Sequence, residues 1–188
     1  LVNSNQQLLY GVPVHQYWTD ELEWPVIQHG QGILTINQTE EKYTWVEFKE
    51  LVLKTIDSLK TSYENNITIN KISLEYLDAF DMNDNDSISF IENNLQTSIK
   101  SKYDIPGKLT NIKINRNYIQ NDGTYLNINI SDAVNNSTNT DAVILVTSAI
   151  RENDELNLDI EKNLDDLHNH CSQVFKTILD KDYYGSLN

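Results

Sequence analysis

The sequence predicts an α+β fold, in which an antiparallel β-sheet is packed by two long amphipathic helices and one shorter helix. Apolar residues recur three and four positions apart in two long segments, residues 44–63 and 160–179, which is the spacing of an amphipathic helix. Other segments are β-rich, and two of them are joined by Asn121-Asp122-Gly123, a strong hairpin signal. Strands joined by so tight a turn run antiparallel, so an antiparallel sheet is favoured.

The first strand pattern consists of two β-rich runs, residues 26–28 and 33–36, separated by Gly30 and Gly32. This arrangement predicts either one strand with a bulge or a tight hairpin. The residues before Trp24 lack a clear period, and we expect an irregular or strand-bearing lead-in there.

The first long helix is predicted to begin after Thr44. Thr44 stands at an N-cap position and Glu47 follows three residues later, so each side chain can accept a hydrogen bond from the other residue's backbone N–H. Downstream, apolar side chains share one face and charged side chains occupy the other. The apolar face comprises Trp45, Phe48, Val52, Ile56, Leu59 and Tyr63.

Two further elements follow this helix. Residues 67–77 have the pattern of a strand with one register change near Lys71, and residues 87–100 have the pattern of the shorter helix. The apolar face of the shorter helix comprises Ile88, Ile91, Leu95 and Ile99.

The second half is predicted to be an antiparallel meander closed by the second long helix. Residues 109–118 and 125–134 form the hairpin, and residues 142–150 are almost all apolar, which fits a central strand covered on both faces. The closing helix over residues 160–179 has one apolar stripe. The stripe comprises Leu164, Leu167, Cys171, Val174, Phe175 and Ile178.

The chain is strongly acidic, with a formal net charge of −14 over 188 residues. A surface of that sign repels phosphate backbones and anionic lipid, so we expect neither generic nucleic-acid binding nor membrane binding. The acidic balance either keeps the protein soluble or steers a basic partner, and both interpretations stay open. The single cysteine, Cys171, rules out an internal disulfide and suggests a buried thiol in a reducing compartment, so we expect a cytoplasmic protein.

Residues 81–92 resemble the calcium loop of an EF-hand. Oxygen-bearing side chains occupy the first, third, fifth, ninth and twelfth positions, which are Asp81, Asn83, Asn85, Ser89 and Glu92. Two observations oppose calcium binding: the sixth position is Asp86 where the loop needs glycine, and a strand pattern enters the loop instead of a helix. The alternative is a plain strand-to-helix connection in which Asp86 or Ser87 caps the helix. Apart from this calcium motif, the sequence predicts no cofactor.

A second cluster of candidate ligands, His168, His170 and Cys171, lies in the closing helix. Histidines that share a metal ion on a helix are three or four residues apart, and a two-residue spacing points them about 200° apart. His168 can pair with Asp165, three residues earlier, but such a pair is ordinary at a helix surface or at the edge of a core. A nucleophile made of Cys171 and His168 would lack an oxyanion hole and an orienting acid. We therefore predict no catalytic residue and leave a hydrolase as a third alternative.

The segments at residues 26–30, 32–38, 43–48 and 72–78 resemble the TIGR04255 family, a sporadically distributed group of prokaryotic proteins. The C-terminal Leu167, His168, Phe175 and Ile178 are similar to that family's closing helix. The resemblance implies a single α+β domain over residues 25–182 and a tail over 183–188, and it implies no activity. It also implies that residues 1–24 are the remnant of a longer N-terminal region.

Aromatic residues at both ends of this predicted domain are candidate contacts to a protein partner: Tyr17, Trp18, Trp24, Tyr183 and Tyr184. The alternative is that they pack over the sheet edge. The function expected from the sequence is a non-enzymatic, cytoplasmic protein-interaction module or adaptor subunit. The distribution of the resembled family suggests a prokaryotic accessory system such as phage defence. The alternative function is a small-ligand or calcium-responsive sensor with a pocket between the sheet and a long helix.

Overall fold

In the computed structural model, the chain divides into two compact units, Leu1–Ile67 and Thr68–Asn188. Their strands form two antiparallel sheets where the sequence prediction had one, and with the helices they make the predicted α+β fold. Residues 25–182, predicted as one domain, span both units. The structure describes residues 11–18, 20, 23–39, 44–82, 86–100, 102–103, 106, 109–153 and 156–187.

The first unit contains a meander of three strands in the order β1-β2-β3: β1 (His15–Trp18), β2 (Val26–Gly30) and β3 (Ile33–Asn37). Of the two arrangements that the sequence left open, the tight hairpin is present between β2 and β3. Gly32 in its turn has a φ of 74°, a conformation that glycine adopts without steric cost. Gly30 permits a close backbone approach, because a Cβ atom there would lie 2.0 Å from the carbonyl oxygen of Val12.

Helix α1 (Trp45–Ser62) begins at the predicted capping box. Glu47 N–H donates to Thr44 Oγ1 at 3.3 Å, and Thr44 N–H donates to Glu47 Oε2 at 3.2 Å. The helix ends before Glu64 and Asn65, which have φ values of 51° and 59°. A left-handed backbone cannot continue a right-handed helix.

The second unit is built on four antiparallel strands in the spatial order β4-β7-β6-β5: β4 (Lys71–Asp81), β5 (Lys113–Ile119), β6 (Tyr125–Asn135) and β7 (Thr140–Glu152). The predicted hairpin joins β5 to β6, with Gly123 at a φ of 81° in the turn, and the apolar β7 is central as predicted. The prediction of a strand over residues 67–77 is wrong about where the strand starts. The predicted register change is also absent, since β4 pairs with β7 without a break. β4 begins at Lys71 because its partner strand β7 ends opposite, at Glu152.

The helices of the second unit are α2 (Ser87–Asn94), α3 (Ile160–Ile178) and α4 (Lys181–Ser186), with a short 3-10 helix at Leu156–Leu158. The prediction that α2 reaches residue 100 is wrong. Gln96 has a φ of 44°, and Thr97 N–H turns back to the carbonyl oxygen of Ile91 at 3.4 Å, which ends the helix. The tail predicted from residue 183 lies largely within α4.

Helix α3 packs on one face of the four-stranded sheet, mainly against β7 and β4. Its buried side chains are Ile160, Leu164, Leu167 and Cys171. A continuous core cluster comprises Phe80, Met82, Phe90, Ile91, Leu95, Ile112, Ile128, Ile130, Val143, Leu145 and Leu179. Each large apolar side chain that is fully buried contributes roughly 1.5–3 kcal/mol. Because α3 lies over β7 and β4, the same face of β5 and β6 opens into a cleft beside the helix.

None of the helices in the described part of the chain combines the length and the apolar character that crossing a lipid bilayer requires.

Candidate functional site

The cleft lies between α3 on one side and strands β5 and β6 on the other, and its volume is about 500 Å³. Sites for small molecules typically have volumes of roughly 300–1,000 Å³. The floor is apolar: Leu126 and Ile128 of β6 meet Val174 and Ile178 of α3.

Polar side chains from β5 and α3 form the rim of this cleft. The register pairs Arg116 with Ile128 and Tyr118 with Leu126, so both rim residues share the sheet face that carries the floor. Gln120, just beyond the end of β5, and Gln173 of α3 complete the rim. The side chains of Arg116, Tyr118, Gln120 and Gln173 form no hydrogen bond or ion pair with any residue that the structure describes.

The charge of the residues that line the cleft differs from that of the chain as a whole. None of the described residues that line it is acidic, although the chain contains 28 Asp and Glu residues. Arg116 supplies a permanent positive charge at the rim. The chain contains one other arginine, Arg151, and that residue has a different environment.

Arg151, on β7, is 9% exposed and donates four hydrogen bonds. Its Nη1 donates to Asn163 Oδ1 at 2.7 Å and to Asp166 Oδ2 at 3.1 Å, both on α3. Its Nη2 donates to Asp122 Oδ2 and, at 2.9 Å, to Thr124 Oγ1. Its Nε is buried without a partner among the described residues. The guanidinium therefore ties the β5–β6 turn to the start of α3.

His170 connects this network to the cleft. Its Nε2 lies 3.0 Å from Asp122 Oδ2, and its ring lines the cleft. Partial burial raises the pKa of Asp122, but hydrogen bonds from His170 and Thr124 outweigh it and hold that pKa well below its usual range. Asp122 is therefore an ionised anchor that fixes the His170 ring against the cleft wall.

The second histidine of the predicted cluster has a separate position. His168 Nδ1 lies 2.7 Å from the hydroxyl oxygen of Tyr76 on β4, at the opposite edge of the sheet from β5. Burial lowers the pKa of His168, although the charge of Asp165 raises it. His168 and His170 thus project to different sides of α3, as their two-residue spacing predicts. They contact different side chains, Tyr76 and Asp122.

Cys171 is a buried thiol, as the sequence predicts, and its Sγ approaches the carbonyl oxygens of Leu74 and Thr147 at 3.9 Å. Burial raises the pKa of this thiol to about 12. The thiolate is the nucleophilic form of cysteine, and a pKa this high leaves very little of it at neutral pH. His168 Nδ1 lies against the Tyr76 hydroxyl, whereas Cys171 Sγ lies against backbone carbonyl oxygens, so these contacts do not pair the two residues.

Three of the five candidate calcium ligands lie in described residues. Asp81 ends β4, whereas Ser89 and Glu92 lie in α2. Asp86 caps α2, as in the alternative interpretation: its Oδ2 accepts from Ser89 Oγ at 2.7 Å, while Glu92 Oε1 accepts from Ile99 N–H at 2.9 Å. The other two candidates lie outside the described residues: Asn83 and Asn85. The described residues contain no group of three His, Cys, Asp or Glu side chains arranged to hold a metal ion, and calcium binding stays a prediction.

The structure does not bring the five aromatic candidates together in one unit. Tyr17 is 56% exposed, and Trp18 and Trp24 contact each other edge to face with ring centroids 5.5 Å apart, all in the first unit. Tyr183 and Tyr184 lie half-buried in α4 and pack against phenylalanines of the second unit, consistent with the alternative interpretation. Partner binding by these aromatic residues stays a prediction.

Sequence reasoning missed the rim residues Arg116, Tyr118 and Gln173, and it missed Arg151. Two signals were available. The chain has only two arginines, and residues 116 and 118 fall on one face of a predicted strand.

Comparison of the chain with protein-family models, with curated proteins and with solved structures finds no match in any of the three. The resemblance to the TIGR04255 family is neither supported nor refuted by this result and stays a prediction.

Proposed function

We propose that this chain is a non-enzymatic protein-interaction module, an adaptor subunit that binds an extended segment of a partner protein along the free edge of β5. The observation that supports this proposal is the edge itself. β5 is the last strand of the four-stranded sheet, and six of its seven residues are exposed. An edge strand offers a row of backbone N–H and C=O groups to which another chain can add as a further strand.

Hydrogen bonds at the two ends of the β5–β6 ladder indicate which backbone groups face outward. Gln120 N–H donates to the carbonyl oxygen of Thr124 at 2.8 Å, and Asp132 N–H donates to that of Ile112 at 3.2 Å. Hydrogen-bonded pairs alternate with non-bonded pairs in an antiparallel ladder, so the even-numbered residues of β5 bond to β6. The odd-numbered residues therefore point their N–H and C=O groups outward: Lys113, Asn115, Asn117 and Ile119.

The composition of β5 fits a docking edge. No described residue hydrogen-bonds to the outward backbone groups, and the strand contains neither a proline nor a bulge, two devices that commonly block a sheet edge. Lys113 and Arg116 are its charged residues, in a chain whose net charge is −14. A partner segment with acidic side chains therefore meets less repulsion here than elsewhere on the surface.

Asn117→Pro tests this proposal, because proline at this position removes an outward N–H and leaves the bonds from even-numbered residues to β6. Asn117→Ala is the matched control, since both changes remove the Asn117 amide side chain and only one removes a backbone donor. The tagged chain and both variants are used to capture proteins from the native host, which mass spectrometry identifies, and far-ultraviolet circular dichroism verifies folding. We expect a stoichiometric partner that wild type and Asn117→Ala retain and that Asn117→Pro loses. A partner retained equally by all three contradicts docking at β5.

We further propose a cytoplasmic setting, on the strength of two features of the sequence. The resemblance to the TIGR04255 family suggests a prokaryotic accessory system such as phage defence, and a free cysteine suits a reducing cytoplasm. We also propose that two long helices and a shorter one pack on a sheet, as expected from the sequence. The packing of α3 on β7 and β4 supports that architecture for one of the long helices.

A second candidate function, a small-ligand sensor, is favoured by the cleft. It combines an apolar floor with polar groups that have no partner among the described residues, which is the usual composition of a ligand site. A calcium-responsive variant of this function is tested by isothermal titration with CaCl₂. Wild-type chain that binds calcium and a Glu92→Gln variant that does not would support it. A wild-type chain that gives no binding heat at two well-separated temperatures would contradict it.

A further inference from the structure

We infer that the cleft binds an amphipathic monocarboxylate, with its apolar body on the floor formed by β6 and α3 and its carboxylate at Arg116. This inference rests on the small-ligand function and is independent of partner binding at the edge of β5.

The apolar part of the ligand follows from the floor. Leu126 and Ile128 are 4% and 7% exposed at the bottom of the cleft, and the half-buried Val174 and Ile178 of α3 supply apolar surface at its side. A ligand that covers the apolar surface still exposed on these side chains is stabilised by roughly 25 cal/mol per Å² of that surface. A volume of about 500 Å³ accommodates a small molecule in place of a folded partner element.

The negative charge of the ligand follows from the two arginines. Arg151 donates four hydrogen bonds within the protein, whereas Arg116 donates none to any described residue. A guanidinium presents a planar fork of donors that matches a carboxylate in two parallel hydrogen bonds. The described lining residues include no Asp or Glu, and Asp122, which lies behind the His170 ring, is paired with Arg151.

The ligand is expected to carry a single charge because the other rim groups that lack a partner are neutral. Besides Arg116, the side chains without a partner there are the Tyr118 hydroxyl and the amides of Gln120 and Gln173. These groups can donate to a carboxylate oxygen but cannot balance a second charge. A monocarboxylate therefore fits better than a phosphate ester, which carries nearly two charges at neutral pH.

Titration of the full chain with three probes of equal chain length tests the inference: octanoate, 1-octanol and octylammonium. Isothermal titration at neutral pH gives the affinities, and methyl NMR shifts of Ile128 and Val174 report whether the probe occupies the cleft. We expect octanoate to bind about tenfold more tightly than 1-octanol, as a charge-assisted hydrogen bond implies, and octylammonium to bind least.

Two charge-matched variants identify the residue responsible. Arg116→Gln should lower octanoate affinity about tenfold and leave 1-octanol affinity unchanged. Lys113→Gln removes the same charge from the same strand, at a position that does not line the cleft, and should leave both affinities unchanged. If octanoate and 1-octanol bind equally, or if Lys113→Gln acts like Arg116→Gln, the carboxylate inference is overturned while the small-ligand function stands. If none of the three probes shifts the cleft methyl groups, the small-ligand function itself fails.

Discussion

Asp78 is a half-buried carboxyl group on β4, on the sheet face that also carries the buried Leu74 and Phe80. It forms no hydrogen bond or ion pair with any described residue, and burial raises its pKa from 3.8 to about 6. Each pKa unit corresponds to about 1.4 kcal/mol, so the ionised group destabilises the folded protein by at most about 3 kcal/mol. Solvent access to a half-buried group reduces this to roughly 1–2 kcal/mol. Asp78→Asn should therefore raise the free energy of unfolding at neutral pH by roughly 1–2 kcal/mol.

The sign of the pH dependence follows from the direction of the shift. The folded protein binds the Asp78 proton more tightly than the unfolded chain does, so this contribution to stability is complete below about pH 4 and is lost as pH rises through about 6. Urea unfolding followed by circular dichroism between about pH 5 and pH 7.5 covers the useful range and stays above the isoelectric point near 4.5. The advantage of Asp78→Asn should shrink as pH falls, and the exposed Asp141→Asn serves as the control. An advantage that is absent at pH 7.5, or that grows toward pH 5, refutes the assigned burial of Asp78.

Two further predictions concern buried groups of the second unit. Arg151→Met leaves Asp122 and Asp166 without their cation and should lower the free energy of unfolding by about 2–3 kcal/mol. The loss is smaller than for fully buried partners because both aspartates are partly exposed. A loss under about 1 kcal/mol in urea unfolding would contradict the network. Cys171 should react with a maleimide over hours in the folded protein and within minutes in urea, because its thiol is buried and its pKa is raised to about 12. Rapid stoichiometric labelling of the folded chain would show that the thiol is accessible.

The parts of the fold that the sequence predicts well depend on a few consecutive residues. The capping box needs only Thr44 and Glu47, and the β5–β6 hairpin needs the short turn that ends at Gly123. The end of α2 was predicted wrongly because Ile99 lies at a helical spacing from Leu95. In the structure Ile99 N–H bonds to the Glu92 side chain instead. Division of the strands into two sheets depends on long-range pairing, which a period-two pattern does not specify.

The candidate site could not be predicted from the sequence, because it too depends on long-range packing. Strand alternation places Arg116 and Tyr118 on one face, but whether that face is covered depends on where α3 packs. The apolar stripe of α3 indicates that the helix covers a sheet and does not indicate which strands it covers. Arg151 follows directly on an apolar run, and its four partners come from the β5–β6 connection and from α3. Such a network cannot be deduced from local patterns.

Amide hydrogen exchange along β5, measured by NMR with and without the captured partner, tests the central claim most directly. In the free chain the amides of even-numbered residues should be protected by β6, whereas those of Lys113, Asn115, Asn117 and Ile119 should exchange rapidly. Binding of the partner as an added strand should protect the odd-numbered amides and leave the even-numbered ones as they were. Odd-numbered amides that are already protected in the free chain, or that still exchange rapidly in the complex, would contradict a docking edge at β5.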